Sequence, residues 1–419
     1  MRQRNLQVSG AGLRGDSGQL RSHRPDYWIV ILAAALVSLG LIVVYSISPA
    51  LSATHGGSGS RYVARQVIAI GLAALAFVAT ARIPLSQWRK WQLPILGLAA
   101  FGTLIALLTP VNPAYPAHRW IRFGGFSLQS VEVLKFALLF ALSGFLASLQ
   151  ANGQIGMFNK ALRPLLIAVA VIGLVVAGIQ SDLGSTGVIV VMVGAMAFIA
   201  GMPMKRIILV GIAVVLLTSM AIISTPYRRE RLATYLQPEK NCLTTSYQAC
   251  QALIAVGSGG VAGLGVGRGV QAYGYLPEAQ NDSIFAIYAE KFGFLGTTLL
   301  LSLYMLLFTR LKLILERAPD TFSRLLVAGV LAWLSTQTLI NVGAMIGLLP
   351  LKGITLPLVS YGGTSVLFVG AALGLVYQIS RYTNFSSRYV TGSRVKESYE
   401  NSHDRRRVRG AYHPSPGGR

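Results

Sequence analysis

The sequence predicts an all-α polytopic membrane protein of about ten transmembrane helices, with one large extracytoplasmic loop between helices seven and eight. Three observations predict it. Of the 419 residues 53% are hydrophobic and 12% charged, about half the charged share of a soluble domain, and the mean hydropathy is +0.56. The apolar residues fall into separate runs of about 20, the length that crosses a hydrocarbon core. The 37 Lys and Arg outnumber the 14 Asp and Glu, giving a net charge of +23, but they lie in the breaks and tails instead of on one basic face. A soluble enzyme and a nucleic-acid binder are excluded, and the charge points to membrane orientation and contact with anionic lipid.

Residues 1–26 form a basic tail with too few large apolar residues to fold. The first run, Tyr27 to Ile47, is too long for the apolar region of a signal peptide and is followed by further spans, so it is read as a retained helix. The predicted spans are 27–49, 63–83, 91–109, 131–150, 162–180, 183–202, 206–224, 283–309, 322–348 and 358–380, within a domain at 27–381, and 225–282 is the large outer loop. A second disordered basic tail occupies 382–419.

An even number of spans puts both termini on one side. Arg2, Arg4, Arg14, Arg21 and Arg24 at one end and Arg405, Arg406, Arg407 and Arg409 at the other make that side cytoplasmic. The loops with Arg82, Arg89 and Lys90, with Lys160 and Arg163, with Lys205 and Arg206, and with Arg310, Lys312, Arg317 and Arg324 agree. Two outer segments depart from the rule, one with His118, Arg119 and Arg122, the other with Arg228, Arg229, Arg231, Lys240 and Arg268. A long loop is only weakly bound by that rule, and an anionic substrate on the outer face is the other explanation. Charge alone leaves both open.

Cys242 and Cys250 share the large loop and make neither a disulfide framework nor a zinc site. In an oxidising compartment they can pair, stabilising the loop by roughly 2–3 kcal/mol; otherwise they are two thiols. The glycines of 257–269 lack the dinucleotide-binding spacing.

An ionisable group at membrane depth costs several kcal/mol unless paired or hydrated, so each one is a functional candidate. Glu132 and Lys135 are three apart on one face of helix four, either a structural ion pair or a substrate contact. Asp182 precedes helix six, where capping is the favoured role. Glu290, beside Lys291, is about two turns into helix eight and faces the interior. Asp282 sits where the wet loop meets the membrane helix, a setting that raises a carboxyl pKa towards that of a general base. On the residues alone, helix capping ranks ahead of catalysis at Asp282. The Pro- and Gly-interrupted stretch 349–365, with Lys352, Ser360 and Tyr361, is tolerated at depth only where protein or a water-filled cavity satisfies its backbone. It is expected to line such a cavity, with Ser360 accessible from outside.

In order, the segments at 119–135, 180–187, 247–296 and 341–365 resemble the signature regions of the SEDS family (shape, elongation, division and sporulation), across all ten predicted spans. Tyr247-Gln248, Gly257-Ser258-Gly259-Gly260, the alternating Gly263, Gly265 and Gly267, and Leu276-Pro277-Glu278-Ala279 with Asp282 are more similar to its cell-division branch than to its rod-elongation branch. Some positions depart from the family pattern. Gln129-Ser130-Val131-Glu132 stands for Gln-Pro-Ser-Glu, Gln180-Ser181-Asp182 for Gln-Pro-Asp, Asp282-Ser283 for Asp-Phe, and Glu290-Lys291 for Glu-Glu. Two prolines are thereby lost from turns, and the packing beside Asp282 is reduced.

The resemblance implies a peptidoglycan glycosyltransferase that polymerises lipid II, the undecaprenyl-diphosphate-linked disaccharide-pentapeptide, on the outer face of the bacterial plasma membrane at the division septum. It places the family's essential aspartate on Asp282 and reverses the ranking there in favour of catalysis. Asp282 would take the proton of the GlcNAc 4-hydroxyl as it displaces lipid diphosphate from MurNAc C1 with inversion. Diphosphate leaves as a stable anion, so one carboxylate suffices where a glycosidase uses two. Lys135, Lys352 and Arg119 are the candidates facing the diphosphate, with Arg228, Arg229 and Arg231 behind them, and a divalent cation, Mg2+ or Mn2+, is another way to meet that charge. The full set of substrate-binding candidates is Arg119, Glu132, Lys135, Gln248, Ser258, Gly260, Glu290, Lys352, Ser360 and Tyr361. Implied partners are a class B penicillin-binding protein and other division proteins. A lipid II flippase and a non-catalytic scaffold that activates a partner synthase are the alternatives.

Overall fold

Long apolar stretches with no charge inside them close their own backbone hydrogen bonds and fold as helices wherever water is absent. The computed structural model describes residues 21–22, 24–55, 58–109, 119–123, 126–223, 235, 242–244 and 246–383. His23–Tyr382 forms one unit, and Met1–Ser22 with Thr383–Arg419 a second. Almost all of the second unit lies outside the described residues, as do most of the two tails and His118, Arg228, Arg229, Arg231 and Lys240; Asp26 of the first tail is described, its N–H donating to the Ser380 hydroxyl at 3.0 Å.

The helices are α1 (Trp28–His55), α2 (Gly59–Arg82), α3 (Leu85–Leu108), α4 (Ser130–Ala151), α5 (Phe158–Ile179), α6 (Leu183–Ile199), α7 (Met204–Ile223), α8 (Tyr247–Ser258), α9 (Ile284–Arg317), α10 (Thr321–Met345) and α11 (Gly363–Ile379). Among the described residues, α1 to α5 with α9 and α10 are seven helices long and apolar enough to cross a membrane. Helices α6 and α11 are apolar but shorter. The chain is a mostly helical, multi-pass membrane protein.

The expectation of an all-helical chain is corrected by short strands, of which one hairpin lies next to the helices of the site. Strands β1 (Trp120–Phe123) and β2 (Phe126–Gln129) pair antiparallel, Trp120 opposite Gln129 and Phe123 opposite Phe126. The sequence carries the signal, since Gly124-Gly125 separates two short runs of aromatic and branched residues, the two-residue hairpin spacing.

Helices α4 and α10 form the interior, with Phe140, Leu139, Leu325, Val330 and Trp333 fully buried. Trp88 of α3 stacks on Phe140 with ring centroids 5.1 Å apart. Large apolar side chains such as Leu93, Leu98 and Leu108 on α3 and Leu295 and Met305 on α9 are exposed, as expected where lipid is the solvent. Helix α11 lies on α2, where Gly370 and Gly374 bring backbone against Ala73 and Phe77 and Thr80 donates to the carbonyl of Ala371 at 2.8 Å. This close packing, at small residues and through an interhelical hydrogen bond, is how helices associate without a hydrophobic drive between them.

Candidate functional site

The long loop before α9 ends in a turn gripped from several elements. Glu278 adopts a left-handed conformation (φ 51°), and Asn281 donates its amide to the Glu278 carboxylate at 2.6 Å. Ser360 donates to the carbonyl of Asn281 at 2.6 Å, and the Tyr361 N–H donates to that of Gln280 at 2.9 Å. Ser283, whose hydroxyl donates to Pro277 O at 2.9 Å, accepts from the Gln248 amide of α8 at 3.2 Å. Ser283, and not Asp282, occupies the N-cap position of α9, and no side chain caps that end. Asp282 is therefore left for another task.

Asp282 is 8% exposed, and its Oδ1 is buried without a hydrogen-bond partner. It lines a small, partly open cleft with Ile340, Asn341, Ala344 and Met345 of α10 and Lys352, Gly353 and Ile354 of the interrupted segment. Burial and then the nearby Glu278 carboxylate push its pKa up from 3.8 to about 7, and donors from the backbone and Gln248 offset part of the rise. A carboxylate in this range is half ionised near neutrality and is poised to take a proton.

Gly353 is left-handed (φ 65°), and a Cβ there would stand 3.7 Å from Nη1 of Arg119 and 3.7 Å from Oδ2 of Asp282. Guanidinium and carboxylate thus flank Gly353, whose left-handed backbone favours glycine. Arg119 reaches this point because its Nε donates to Gln180 O at 3.1 Å and its Nη2 to Ser181 O. Ser181 is itself left-handed (φ 54°). Next in the chain, Asp182 caps α6, accepting from the Ser185 N–H at 3.0 Å and hydroxyl at 2.9 Å. Gly184 leaves room on that helix for the Ile354 side chain and the Cβ of Lys352.

Asp282, Arg119 and Lys352 come together; other candidates do not. The Lys135 ammonium is 1% exposed and is held by Glu132 at 2.7 Å and Gln337 at 2.8 Å. It lies 4.8 Å from the centre of the Trp333 ring. Gln337 also accepts from the Trp333 indole at 2.7 Å and donates to Thr355 O at 3.0 Å. Lys135 and Glu132 therefore brace α4, α10 and the interrupted segment from within. Ser360 is 2% exposed and spends its hydroxyl on Asn281, so the expectation that it lines the accessible cavity is corrected: the lining residues are Lys352 to Ile354. Tyr361 holds the loop through its N–H and packs its ring against Tyr62, 6.0 Å away.

Ser258, Gly260 and Glu290 belong to a separate region, where the glycine-rich stretch wraps the break in α9 at Gly293 (φ 61°). The N–H groups of Leu264 and Gly265 donate to Glu290 O and Lys291 O, and those of Phe294 and Leu295 to Gly260 O and Val261 O. Oε1 of Glu290 accepts from the N–H groups of Val270 at 2.9 Å and Gln271 at 3.2 Å. Lys291 donates to Val266 O at 2.9 Å. Gly259, Gly263 and Gly269 each approach this helix too closely for a side chain. Cys242 and Cys250 are joined as a disulfide, the alternative of two thiols being overturned, and it anchors the start of α8.

Gln337 and Asn341 were not expected from the sequence. Asn341 donates to Asp282 O and to Ile354 O, both at 2.7 Å. Two amides four apart in an otherwise apolar span were the available signal. Among the described residues, no three His, Cys, Asp or Glu gather as metal ligands, and the cleft is lined by one carboxylate, Asp282, and one cation, Lys352. That donor set does not make a resident Mg2+ or Mn2+ site; Mg2+ sites of this kind are completed by substrate phosphates.

A family model described as cell cycle protein, FtsW/RodA/SpoVE, matches residues 27–385. A probable peptidoglycan glycosyltransferase FtsW of Coxiella burnetii is 37% identical over 368 residues, covering 85% of this chain and 96% of that protein. Stage V sporulation protein E of Bacillus subtilis is 34% identical over 362 residues, covering 86% and 98%. A solved peptidoglycan synthase complex, described as coordinating polymerization and crosslinking, contains a chain similar to this one with TM-score 0.69 and 27% identity, covering 85% and 98%. The rod shape determining protein RodA of Thermus thermophilus matches with TM-score 0.60 and 26% identity, covering 85% and 97%.

Proposed function

Because the chain belongs to the FtsW/RodA/SpoVE family of cell cycle proteins, we propose that it is a peptidoglycan glycosyltransferase that polymerises lipid II at the outer face of the bacterial plasma membrane, in septal wall synthesis. In this reading ten helices cross the bilayer and both termini are cytoplasmic. The Cys242–Cys250 disulfide supports an outer-facing loop, since cytoplasmic thiols are kept reduced.

The observation that carries the chemistry is a carboxylate with a pKa of about 7 on a cleft it shares with Lys352, with the Arg119 guanidinium across Gly353. Asp282 accepts the proton of the GlcNAc 4-hydroxyl as that oxygen bonds to MurNAc C1 and the C1–O bond to the lipid diphosphate breaks, with inversion. The electron pair of that bond leaves on the diphosphate, and the cations of Lys352 and Arg119 meet it. Lys135 supports the site from below without touching substrate, because its ammonium is already committed.

A class B penicillin-binding protein is the proposed partner, on the strength of the similar chain in the solved synthase complex. The test is polymerisation of lipid II by the purified chain and its Asp282→Asn variant. Asn keeps the size of Asp and one acceptor oxygen but takes no proton, so a folded variant polymerising at the wild-type rate would remove Asp282 as the base. Glycan product from the wild-type chain alone also separates an enzyme from a flippase or a scaffold.

A further inference from the structure

We propose that Asn341 is a positioning residue that sets the spacing between the base-bearing end of the outer loop and the cation-bearing segment opposite it. The inference rests on the reading of Asp282 as the base. Asn341 is 2% exposed and lines the cleft. A carboxamide nitrogen carries two hydrogens, and here one goes to Asp282 O and one to Ile354 O, both at 2.7 Å. The orientation of the amide is fixed by its partners, because the flipped form would press its oxygen against two carbonyl oxygens.

The two carbonyls belong to the two sides of the reaction. One is the main chain of the base itself. The other directly follows Lys352 and Gly353, the residues across the cleft from it. Ser360 and Tyr361 also tie these segments, but at Asn281 and Gln280; Asn341 makes the tie at residue 282. Neither Ser nor Thr could make both bonds, since a hydroxyl has one hydrogen. An asparagine on the rigid helix α10 therefore works as a fixed spacer between proton acceptor and phosphate-facing cation, the arrangement that proximity catalysis requires.

Three charged groups flank Asp282: Glu278 from its own loop, Lys352 from the interrupted segment and Arg119 from the stretch before β1. Gln248 of α8 and Asn341 of α10 are neutral. Asn341→Asp thus adds the one carboxylate that helix would present, with almost no change of shape.

The experiment measures kcat, KM for lipid II, the pH profile and thermal melting of the full-length purified chain. For Asn341→Ala, kcat is expected to fall at least about tenfold with KM within about threefold, as for a misplaced catalytic group. For Asn341→Asp, the pH midpoint of kcat is expected to rise by about one unit or more, through repulsion between neighbouring carboxylates. Asn341→Gln, which keeps both hydrogens, recovers part of the rate. The proposal is overturned if Asn341→Ala melts cooperatively yet polymerises at the wild-type rate, or if the midpoint of Asn341→Asp does not move. Should the alanine variant fail to fold, Asn341→Asp, which keeps the shape but loses both donated hydrogens, decides through its rate: a wild-type kcat overturns the proposal. Loss of activity in Asp282→Asn beside normal Asn341 variants rejects the spacer and leaves the base standing; full activity in Asp282→Asn rejects the base.

Discussion

Asp282 and Glu290 are eight residues apart, both almost wholly buried, and each has one carboxylate oxygen without a hydrogen-bond partner. Their surroundings differ. The glycine-rich stretch closes over Glu290 and feeds two backbone N–H groups to its other oxygen, and the backbone of Gly269 packs directly on the carboxylate. Asp282 instead lines a partly open cleft facing Lys352. The difference lies in what each acid borders: Glu290 organises its own loop, whereas Asp282, the proposed base, borders a cleft.

The comparison breaks first at Asp282. Asp282→Asn should lower the rate of lipid II polymerisation about 10²- to 10⁴-fold with an unchanged melting transition, measured on the same preparation. The pH profile sharpens the point. A base must be ionised, so with a pKa of about 7 the wild-type rate should rise about tenfold per unit below that value and level off above it. A rate flat from pH 5 to pH 8 would contradict the assignment.

The next effect concerns a third buried acid, Glu132, which is neutralised by a partner. Lys135→Met should cost about 3–5 kcal/mol of stability by leaving the Glu132 carboxylate alone in the interior, read from thermal or denaturant unfolding. Adding Glu132→Gln should restore much of the loss. No recovery in the double variant would mean that Lys135 does more than pair. The smallest effect is expected at Glu290→Gln, which keeps the acceptor for Val270 and Gln271. It should cost about 1–3 kcal/mol while leaving polymerisation within about threefold. A folded Glu290→Gln protein without activity would erase the distinction between the two acids.

Much of this was legible in the sequence, for reasons that can be named. The apolar runs announced the helices because only a helix satisfies a backbone in lipid. Asp182 could be read as a cap from its place before an apolar run, and Glu132 and Lys135 as partners from their spacing of three. The paired amides of α10 were hidden by their context, since Gln337 and Asn341 sit in a stretch whose hydropathy is that of a membrane span. The wrap around Gly293 was hidden for another reason: a left-handed glycine in the middle of an apolar run looks like any other small residue until its torsion is known. Ser360 was misjudged because its segment does line the cleft, but three residues of it, Lys352 to Ile354, do the lining.

Gly353 carries a consequence for anyone who wishes to alter this protein. A Cβ there would meet both charged groups at ordinary contact distance, so the strain of a substitution comes from the left-handed backbone of Gly353. Gly353→Ala therefore perturbs the segment carrying Lys352 through its main chain, and leaves the exposed apolar faces of the helices as they are.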